Sequence, residues 1–236
     1  MIGINFFQRH NFVDQQTEYH PKGMVDTMDV FRRNGFLPEQ VHPLIRGFYE
    51  RTVEYDMIVY PKWHPFFLPA ARWYKKLSAK IEQMNFPVLE DEQEIEVESR
   101  MLKLNDSMDG RENVRAWVRT DKKKNKAIYA AAYSTHENKR GERYYNVFFP
   151  LPYGGMTSIL SIKNQFGNGV TLFSFSTGRR DEHQGVYLTI RKLTIRLPIN
   201  EIINVWEEGG MVKARHDSWL FGIKVLSLRY DIAPSK

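Results

Sequence analysis

The chain has 236 residues, of which 42% are hydrophobic and 14% are Phe, Tyr or Trp. This length and apolar fraction suit one sizeable globular domain and exclude a disordered chain. The absence of cysteine excludes disulfides, thiolate nucleophiles and cysteine-ligated metal, and the formal net charge of +6 favours anionic partners only weakly.

The sequence lacks the signals that send a chain into a membrane. Residues 1–12 have no basic start, no apolar run of about seven residues and no small-residue cleavage site, so we expect no signal peptide. No run of about eighteen apolar residues occurs, so we expect no membrane-spanning segment. We predict a cytoplasmic location, with peripheral membrane contact as the alternative.

The first third of the chain has apolar residues three or four positions apart, which is typical of helices. This spacing predicts helices over 21–35, from Pro38 to about residue 48, and over 64–85, where Pro65 and Pro69 delay the regular helix. The segment 55–60 between them is predicted to be extended or a linker. Residues 1–90 are therefore expected to form a helical N-terminal region.

Close to Glu94 the apolar spacing changes to every second residue, which is typical of half-buried strands. Turn signals such as Asp109-Gly110 and Asn168-Gly169 separate the strands, and one helix is predicted over 198–210. Over 91–236 this pattern predicts an antiparallel meander curved into a barrel or half-barrel. The expected fold class is α+β, with the N-terminal helices packed on the curved sheet as one domain.

One predicted strand, 186–197, carries an irregular apolar pattern. Its apolar residues shift from Val186, Leu188 and Ile190 to the opposite parity after Arg191-Lys192. A strand of strict period two cannot place both sets on one face. Either a bulge lies near Arg191-Lys192, or both faces of the strand are covered.

The high aromatic content, combined with a bent sheet, predicts a mostly apolar pocket with a few polar groups. The leading hypothesis is a non-enzymatic binding module for a hydrophobic or lipid-like ligand, without a cofactor. The predicted lining residues are Tyr145, Phe149, Phe173, Phe175 and Trp219, with Arg215 or His216 as the polar anchor.

The alternative from a different class is an acid–base enzyme that uses His216 with Glu201 or a tyrosine. Asp217 cannot be the partner, because adjacent strand residues point to opposite faces. No nucleophile elbow, phosphate-binding loop or dinucleotide fingerprint is present. The cluster 181–183 (Asp-Glu-His) lacks a second group of ligands, so it is interpreted as a solvated turn and no metal is expected.

A third hypothesis is a peripheral membrane or scaffold protein that docks through the helix predicted near residues 63–80. Aromatic and basic residues alternate there without an acidic residue, as in a helix that lies on an anionic membrane surface. The competing interpretation packs the aromatic stripe on the sheet and leaves the lysines in water. The membrane-facing residues would be Trp63, Trp73, Lys75, Lys76 and Lys80.

The segment 111–143 contains ten basic residues and four acidic ones, with its densest run at 122–126. Such a surface attracts nucleic acid. However, no nucleic-acid-binding motif accompanies it, and most of these residues fall in or beside predicted turns. We therefore interpret them as solvated and expect no nucleic-acid partner.

Three segments resemble the uncharacterised YndJ-type family of Bacillus proteins: 42–50 (His-Pro-Leu-Ile-Arg-Gly-Phe-Tyr-Glu), 197–201 (Leu-Pro-Ile-Asn-Glu) and 216–222 (His-Asp-Ser-Trp-Leu-Phe-Gly). The resemblance spans the chain from about residue 38 to its end. It implies no activity and gives no residue a role. Some members join a related soluble region to membrane-spanning segments, which favours the membrane-surface hypothesis.

Overall fold

A computed structural model describes residues 2–88, 94–109 and 111–235, and within them the chain is mainly β-strand. The strands are β1 (Tyr55–Trp63), β2 (Ile95–Lys103), β3 (Arg115–Asp121), β4 (Lys126–Glu137), β5 (Arg143–Leu151), β6 (Gly154–Gln165), β7 (Gly169–Phe173), β8 (Gly185–Ile190), β9 (Leu193–Leu197), β10 (Ile199–Glu208), β11 (Met211–Leu220) and β12 (Ile223–Pro234). The helices are α1 (Phe6–Arg9), α2 (Pro43–Glu50), α3 (Leu68–Ile81) and α4 (Asp106–Asp109). Short 3-10 turns occur at Met28–Phe31, Pro38–Gln40, Thr52–Glu54 and Pro65–Phe67.

The strands form one antiparallel sheet that closes on itself. Its order is β5-β4-β3-β2-β1-β12-β11-β10-β7-β6, and β6 pairs back to β5, so ten strands make a closed barrel. The remaining two strands, β8 and β9, form a hairpin on the edge of β6. The expected α+β class is therefore wrong, because the described chain is mostly strand and its N-terminal part does not form helices packed on the curved sheet.

A long ladder between β1 and β12 joins strands that are far apart in the sequence. It runs from the pair Tyr55–Pro234 to the pair Trp63–Leu226. We call the end of the barrel at Tyr55 and Asn168 the plugged end, and the end at Trp63 and Leu226 the cavity end. The segment 55–60, predicted to be extended or a linker, is extended and forms part of the barrel wall.

The segment 24–50, called the plug below, fills the interior at the plugged end. Met28, Phe31 and Ile45 are fully buried and belong to the same hydrophobic core as the inward-facing residues of the strands. The backbone N–H of His42 donates to the carbonyl of Asn168 at 2.8 Å, which ties the plug to the turn between β6 and β7.

The helix predicted over 21–35 is wrong. Its described backbone contains only the single 3-10 turn Met28–Phe31. The barrel surrounds this stretch on several sides, so Met24, Val25 and Phe36 are buried without sharing one helical face. Apolar spacing therefore reflects the shape of the enclosing wall here, and not helical periodicity.

The two other predicted helices are confirmed with shifted starts. Pro43 occupies the first position of α2, and the side chain of His42 accepts a hydrogen bond from Leu44 N, so the helix starts later than Pro38. Regular helix in α3 begins at Leu68, next to Pro69, after the 3-10 turn. It ends at Ile81, and the next residue, Glu82, is left-handed with a φ of 51°.

Two predictions in the C-terminal half are wrong. The helix predicted over 198–210 is the strand β10, because its many β-branched residues favour a strand when both faces are partly covered. The irregular segment 186–197 is neither bulged nor one strand: it is the hairpin β8–β9, which turns at Arg191 with a φ of 54°. The Asn168-Gly169 hairpin is confirmed.

Some predictions fall outside the described residues. Gly110 of the Asp109-Gly110 turn is one, and the backbone just before it forms α4. The predicted boundary between residues 90 and 91 lies within 89–93, which are also outside the described residues.

At the cavity end, a side chain joins β4 to β5 where their ladder is missing. The ladder between these strands runs only from Ala132–Phe148 to Glu137–Arg143. Beyond it, Gln83 Nε2 donates to the carbonyls of Ala130 and Pro150, both at 3.0 Å, and Gln83 Oε1 accepts from Ala130 N at 3.0 Å. One buried amide therefore replaces the missing strand pairing.

Candidate functional site

The barrel contains a partly enclosed cavity of about 100 Å³ between the plug and the cavity end. Phe48 and Tyr49 of the plug form its floor, and inward-facing residues of the strands form its walls. Most of the lining is apolar or aromatic. The polar groups on the walls are Arg119, Ser158, Glu201, His216 and the tyrosine hydroxyls.

Arg119 is a buried cation on the cavity wall. Only 8% of its surface is exposed, and its guanidinium carbon lies 3.4 Å from the ring centre of Trp117 and 4.4 Å from that of Tyr129. Arg119 Nη2 donates to the hydroxyl of Tyr133 at 3.2 Å. Burial raises the pKa of Tyr230, and the charge and hydrogen bond of Arg119 oppose that shift, so the guanidinium also interacts with this second phenol. Within residues 2–88, 94–109 and 111–235, Nε meets no acceptor and the guanidinium forms no ion pair.

Two neighbouring donors also lack a partner in the described part of the chain. These are the indole N–H of Trp117 and the hydroxyl of Tyr145, both on buried cavity-lining residues. Burial raises the pKa of Tyr145 well above its usual value and also raises that of Tyr133, so both phenols stay protonated. The wall near Arg119 is therefore rich in hydrogen-bond donors.

A second polar pair lies on β10 and β11. His216 Nε2 is 3.3 Å from Glu201 Oε1, and both side chains face the cavity. Burial acts to raise the pKa of Glu201, but the hydrogen bond and charge of His216, with the hydroxyl of Ser158, outweigh it and lower that pKa. This arrangement can exchange a proton, and an acid–base role for His216 stays a prediction.

Three of the predicted pocket residues lie together. Tyr145, Phe149 and His216 all line the cavity. Phe173 and Phe175 stack on each other at 4.6 Å but line a different depression, beside Arg33 and Glu142 near the plugged end. The structure therefore does not bring these two rings to the cavity.

The other two predicted pocket residues lie on the outer face of β11. Arg215 Nε pairs with Asp217 at 3.0 Å, and Lys224 Nζ sits 5.2 Å from the ring centre of Trp219. Side chains alternate along a strand, so the inward position of His216 sends Arg215 outward. Arg215 therefore does not reach the cavity.

The sequence interpretation missed Arg119 and Trp117. Arg119 was assigned to a solvated basic surface, although it lies inside β3. A signal was present: Ala116 and Val118 are apolar on the alternate face, so β3 is covered on both sides. A cation in a strand with two buried faces must be buried as well.

The predicted basic surface is also smaller than expected. Arg115 is buried, and three lysines of the run at 122–126 pair with carboxylates. These pairs are Lys122 with Asp56 at 3.2 Å, Lys123 with Glu96 at 3.5 Å and Lys124 with Asp121 at 3.5 Å.

The loop residues Asp181, Glu182 and His183 do not converge on one point. Burial acts to raise the pKa of Glu182, but hydrogen bonds from Ser176 and Thr177 outweigh it and lower that pKa to about 2. His183 Nδ1 instead lies 3.0 Å from His136 Nε2. The described residues contain no group of three or more His, Cys, Asp or Glu that could hold a metal ion.

A comparison with known proteins finds a relative in Bacillus subtilis (strain 168), named "Uncharacterized membrane protein YndJ". It is 36% identical to the chain over 211 residues, or 89% of the chain. The predicted resemblance to the YndJ-type family is confirmed. The chain spans only 38% of the length of that relative. No family model and no solved structure matches this YndJ-like chain.

The helix α3 of this YndJ-like chain presents an apolar stripe to solvent. Trp73 is 72% exposed, and Leu77, one turn further, is also exposed. Phe66, in the 3-10 turn just before the helix, is 71% exposed. The opposite face, with Ala71 and Ser78, is buried. The stripe is therefore not the face that packs on the protein.

The predicted membrane-facing residues divide into two groups. Lys76, Lys80 and Trp73 are exposed, whereas Lys75 is half-buried. Trp63 is tied into the barrel, because its indole N–H donates to the carbonyl of Pro87 at 2.9 Å. No helix in the described segments is long and apolar enough to cross a bilayer.

Proposed function

We propose that the barrel is a binding module whose cavity takes up a small hydrophobic or amphipathic molecule. The observation that supports this proposal is the partly enclosed cavity of about 100 Å³, which is walled by aromatic rings and carries a few buried polar groups. Ligand sites in proteins commonly combine these features. The interior of an ordinary domain is instead close-packed, with few voids larger than a water molecule.

The cavity volume limits the size of the ligand. An apolar cavity of about 150 Å³ accommodates benzene, so 100 Å³ suits a molecule of slightly smaller size. A long acyl chain does not fit without movement of the wall. We therefore narrow the hydrophobic or lipid-like ligand to a compact one.

Binding is tested with the full chain, titrated with isobutyrate, isobutyramide and isobutanol and followed by NMR and thermal unfolding. Native mass spectrometry of freshly purified protein reports any retained molecule. A probe at about 100 times its Kd is expected to add about 2.7 kcal/mol to the free energy of unfolding. Ala214→Leu, which fills the cavity, should abolish the effect.

Ala233→Leu is the matched control, because Ala233 lies on the outer face of β12 and does not line the cavity. It should bind the probes as the unmodified chain does. If none of the probes binds, or if both variants bind them equally, the cavity is not a ligand site.

We also propose that α3 docks on an anionic membrane surface. Trp73 and Leu77 would enter the lipid interface, and Arg72, Lys76 and Lys80 beside them would meet the headgroups. Each basic residue near such a surface contributes about 1 kcal/mol. The relative from Bacillus subtilis carries the name of a membrane protein, which agrees with a location close to a bilayer.

Vesicle co-sedimentation tests this docking. The chain should sediment with vesicles that contain phosphatidylglycerol and not with pure phosphatidylcholine. Lys76→Glu/Lys80→Glu and Trp73→Ala should each weaken the partition, the charge reversal by at least about tenfold. Lys139→Glu/Arg180→Glu makes the same change in net charge at another site, and equal losses from both reversals would contradict docking through α3.

A further inference from the structure

We propose that the cavity ligand is a small carboxylate and that Arg119 holds its carboxylate group. This inference rests on the proposed function, because it names the chemical class of ligand for the same cavity. Three features of the wall support it: an unpaired buried cation, a surplus of hydrogen-bond donors and a small volume.

The guanidinium of Arg119 has one edge left for a ligand. The rings of Trp117 and Tyr129 lie within stacking distance of the group, so an acceptor must approach in its plane. Nη2 already donates to Tyr133 and the guanidinium also interacts with the hydroxyl of Tyr230, while Nε has no acceptor among the residues described. A carboxylate matches this edge, since its two oxygens accept parallel N–H bonds from one guanidinium.

The surrounding groups require acceptors and not further donors. The indole N–H of Trp117 can only donate, and the hydroxyl of Tyr145 has no partner in the described ranges. Buried donors without acceptors are costly, so most buried donors in proteins are paired. An anion supplies several lone pairs at once, whereas an amine or ammonium ligand would add donors to a wall that already has too many.

The charged residues on the cavity wall favour a ligand with a single negative charge. The carboxylate on the opposite wall, Glu201, is already paired with His216. Arg119 is then balanced by a monoanion, while a dianion would leave an excess charge inside an apolar cavity. The volume of about 100 Å³ restricts this monoanion to a compact acid with a short apolar body.

The test compares three probes of nearly the same shape on the full chain. Isobutyrate should bind at least about tenfold more tightly than isobutyramide or isobutanol, because a hydrogen bond to a charged group is stronger than a neutral one. In Arg119→Met the Kd for isobutyrate should rise at least about tenfold, with the Kd for isobutyramide nearly unchanged. The Kd of Arg119→Lys for isobutyrate should lie between that of the unmodified chain and that of Arg119→Met, because lysine keeps the charge but lacks the planar guanidinium.

Arg115→Lys is the matched control. Arg115 lies on the same strand, is equally buried and pairs with Asp26 away from the cavity, so this variant should keep the preference for isobutyrate. If isobutyramide binds as tightly as isobutyrate and Arg119→Met changes neither, the carboxylate assignment is wrong while the proposed binding function stands. If no probe binds, both are wrong.

Thermal unfolding without ligand gives an independent measurement. Removal of an unpaired buried charge in favour of an apolar side chain of similar length should leave the midpoint of Arg119→Met unchanged or higher. A clear fall in the midpoint would show that Arg119 supports the fold, which would overturn its assignment as a ligand anchor.

Discussion

The two ends of the barrel each contain a buried arginine on β3, and the surroundings of the two arginines differ. At the plugged end, Arg115 donates to both carboxylate oxygens of Asp26 at 2.8 and 3.0 Å, and to the carbonyl of Gly23. Toward the cavity end, four residues along the same strand, Arg119 contacts two aromatic rings and the phenols of Tyr133 and Tyr230. Arg115 is therefore held by an ion pair within the fold, whereas Arg119 has an N–H donor that can still bind an acceptor.

This difference extends to how each end is filled. The plug packs the first end with buried side chains such as Met28, Phe31 and Phe36. The second end contains the cavity, and between β4 and β5 it depends on the single amide of Gln83. We infer that the plugged end contributes most to the stability of the fold. The cavity end contributes less, because its cavity is left open for binding.

The largest expected effect comes from Gln83→Ala at the cavity end. The change leaves three buried backbone groups of Ala130 and Pro150 without partners, so the free energy of unfolding should fall by about 3 kcal/mol. Urea denaturation measures it. Gln15→Ala, at an exposed position, should change stability by less than about 0.5 kcal/mol, and similar values for both would show that the amide does not close the seam.

The comparison of the two arginines predicts the next effect. Arg115→Met removes the ion-pair partner of Asp26, which keeps a hydrogen bond from the hydroxyl of Tyr19. Because that carboxylate is half exposed, the free energy of unfolding should fall by about 2 kcal/mol, below the value for a fully buried pair. Arg119→Met should cost nothing in the same urea experiment without ligand. The opposite ranking of these variants would contradict the division between the ends.

A pair of alanines sharpens the comparison with a smaller effect. Ala214→Leu fills part of the cavity and should stabilise the ligand-free chain by about 1 kcal/mol. Ala131, in the hydrophobic core but outside the cavity lining, has no such room, so Ala131→Leu should destabilise by at least about 1 kcal/mol. Thermal unfolding of both variants measures these changes. If both variants are destabilised, the cavity cannot accept added volume.

The smallest effect concerns acid. Burial lowers the pKa of His136 from 6.5, with Asn146 opposing the shift and the charges of His183 and Arg111 adding to it. The unfolded chain then binds its proton at a higher pH than the native one. The contribution of neutral His136 to the free energy of unfolding is fully present above about pH 6.5. It declines as the pH falls below that value toward the native pKa. The urea midpoint should therefore be lower at a pH below about 6.5 than at a pH above it, and this difference should be smaller in His136→Gln. If the difference is the same in the variant, His136 is not its cause.

The sequence predicted those parts of the fold that depend on local pattern. The hairpin at Asn168 and the strands after Glu94 follow from turn chemistry and alternation, and the same alternation correctly faced His216 inward and separated it from Asp217. Tyr145 and Phe149 reach the cavity for the same reason.

The remaining features depend on contacts between distant parts of the chain. The plug was mistaken for a helix because the barrel, not its own backbone, sets the spacing of its apolar residues. The strand β10 was mistaken for a helix because short apolar runs fit both periods. Arg119 was missed because its burial depends on strands that are distant in the sequence and close the barrel around the inner face of β3.

The β1–β12 ladder has a consequence for how the molecule reaches its native state. The strand beginning at Tyr55 completes the wall only with residues as late as Pro234, so nearly the whole polypeptide must be available before the ring can close. Pairing over such sequence separations raises the contact order and slows folding, on a scale of milliseconds to seconds for β-rich domains. Until that moment β1 and β12 are exposed edges open to wrong partners, which makes dilute conditions and chaperone assistance favourable for its production.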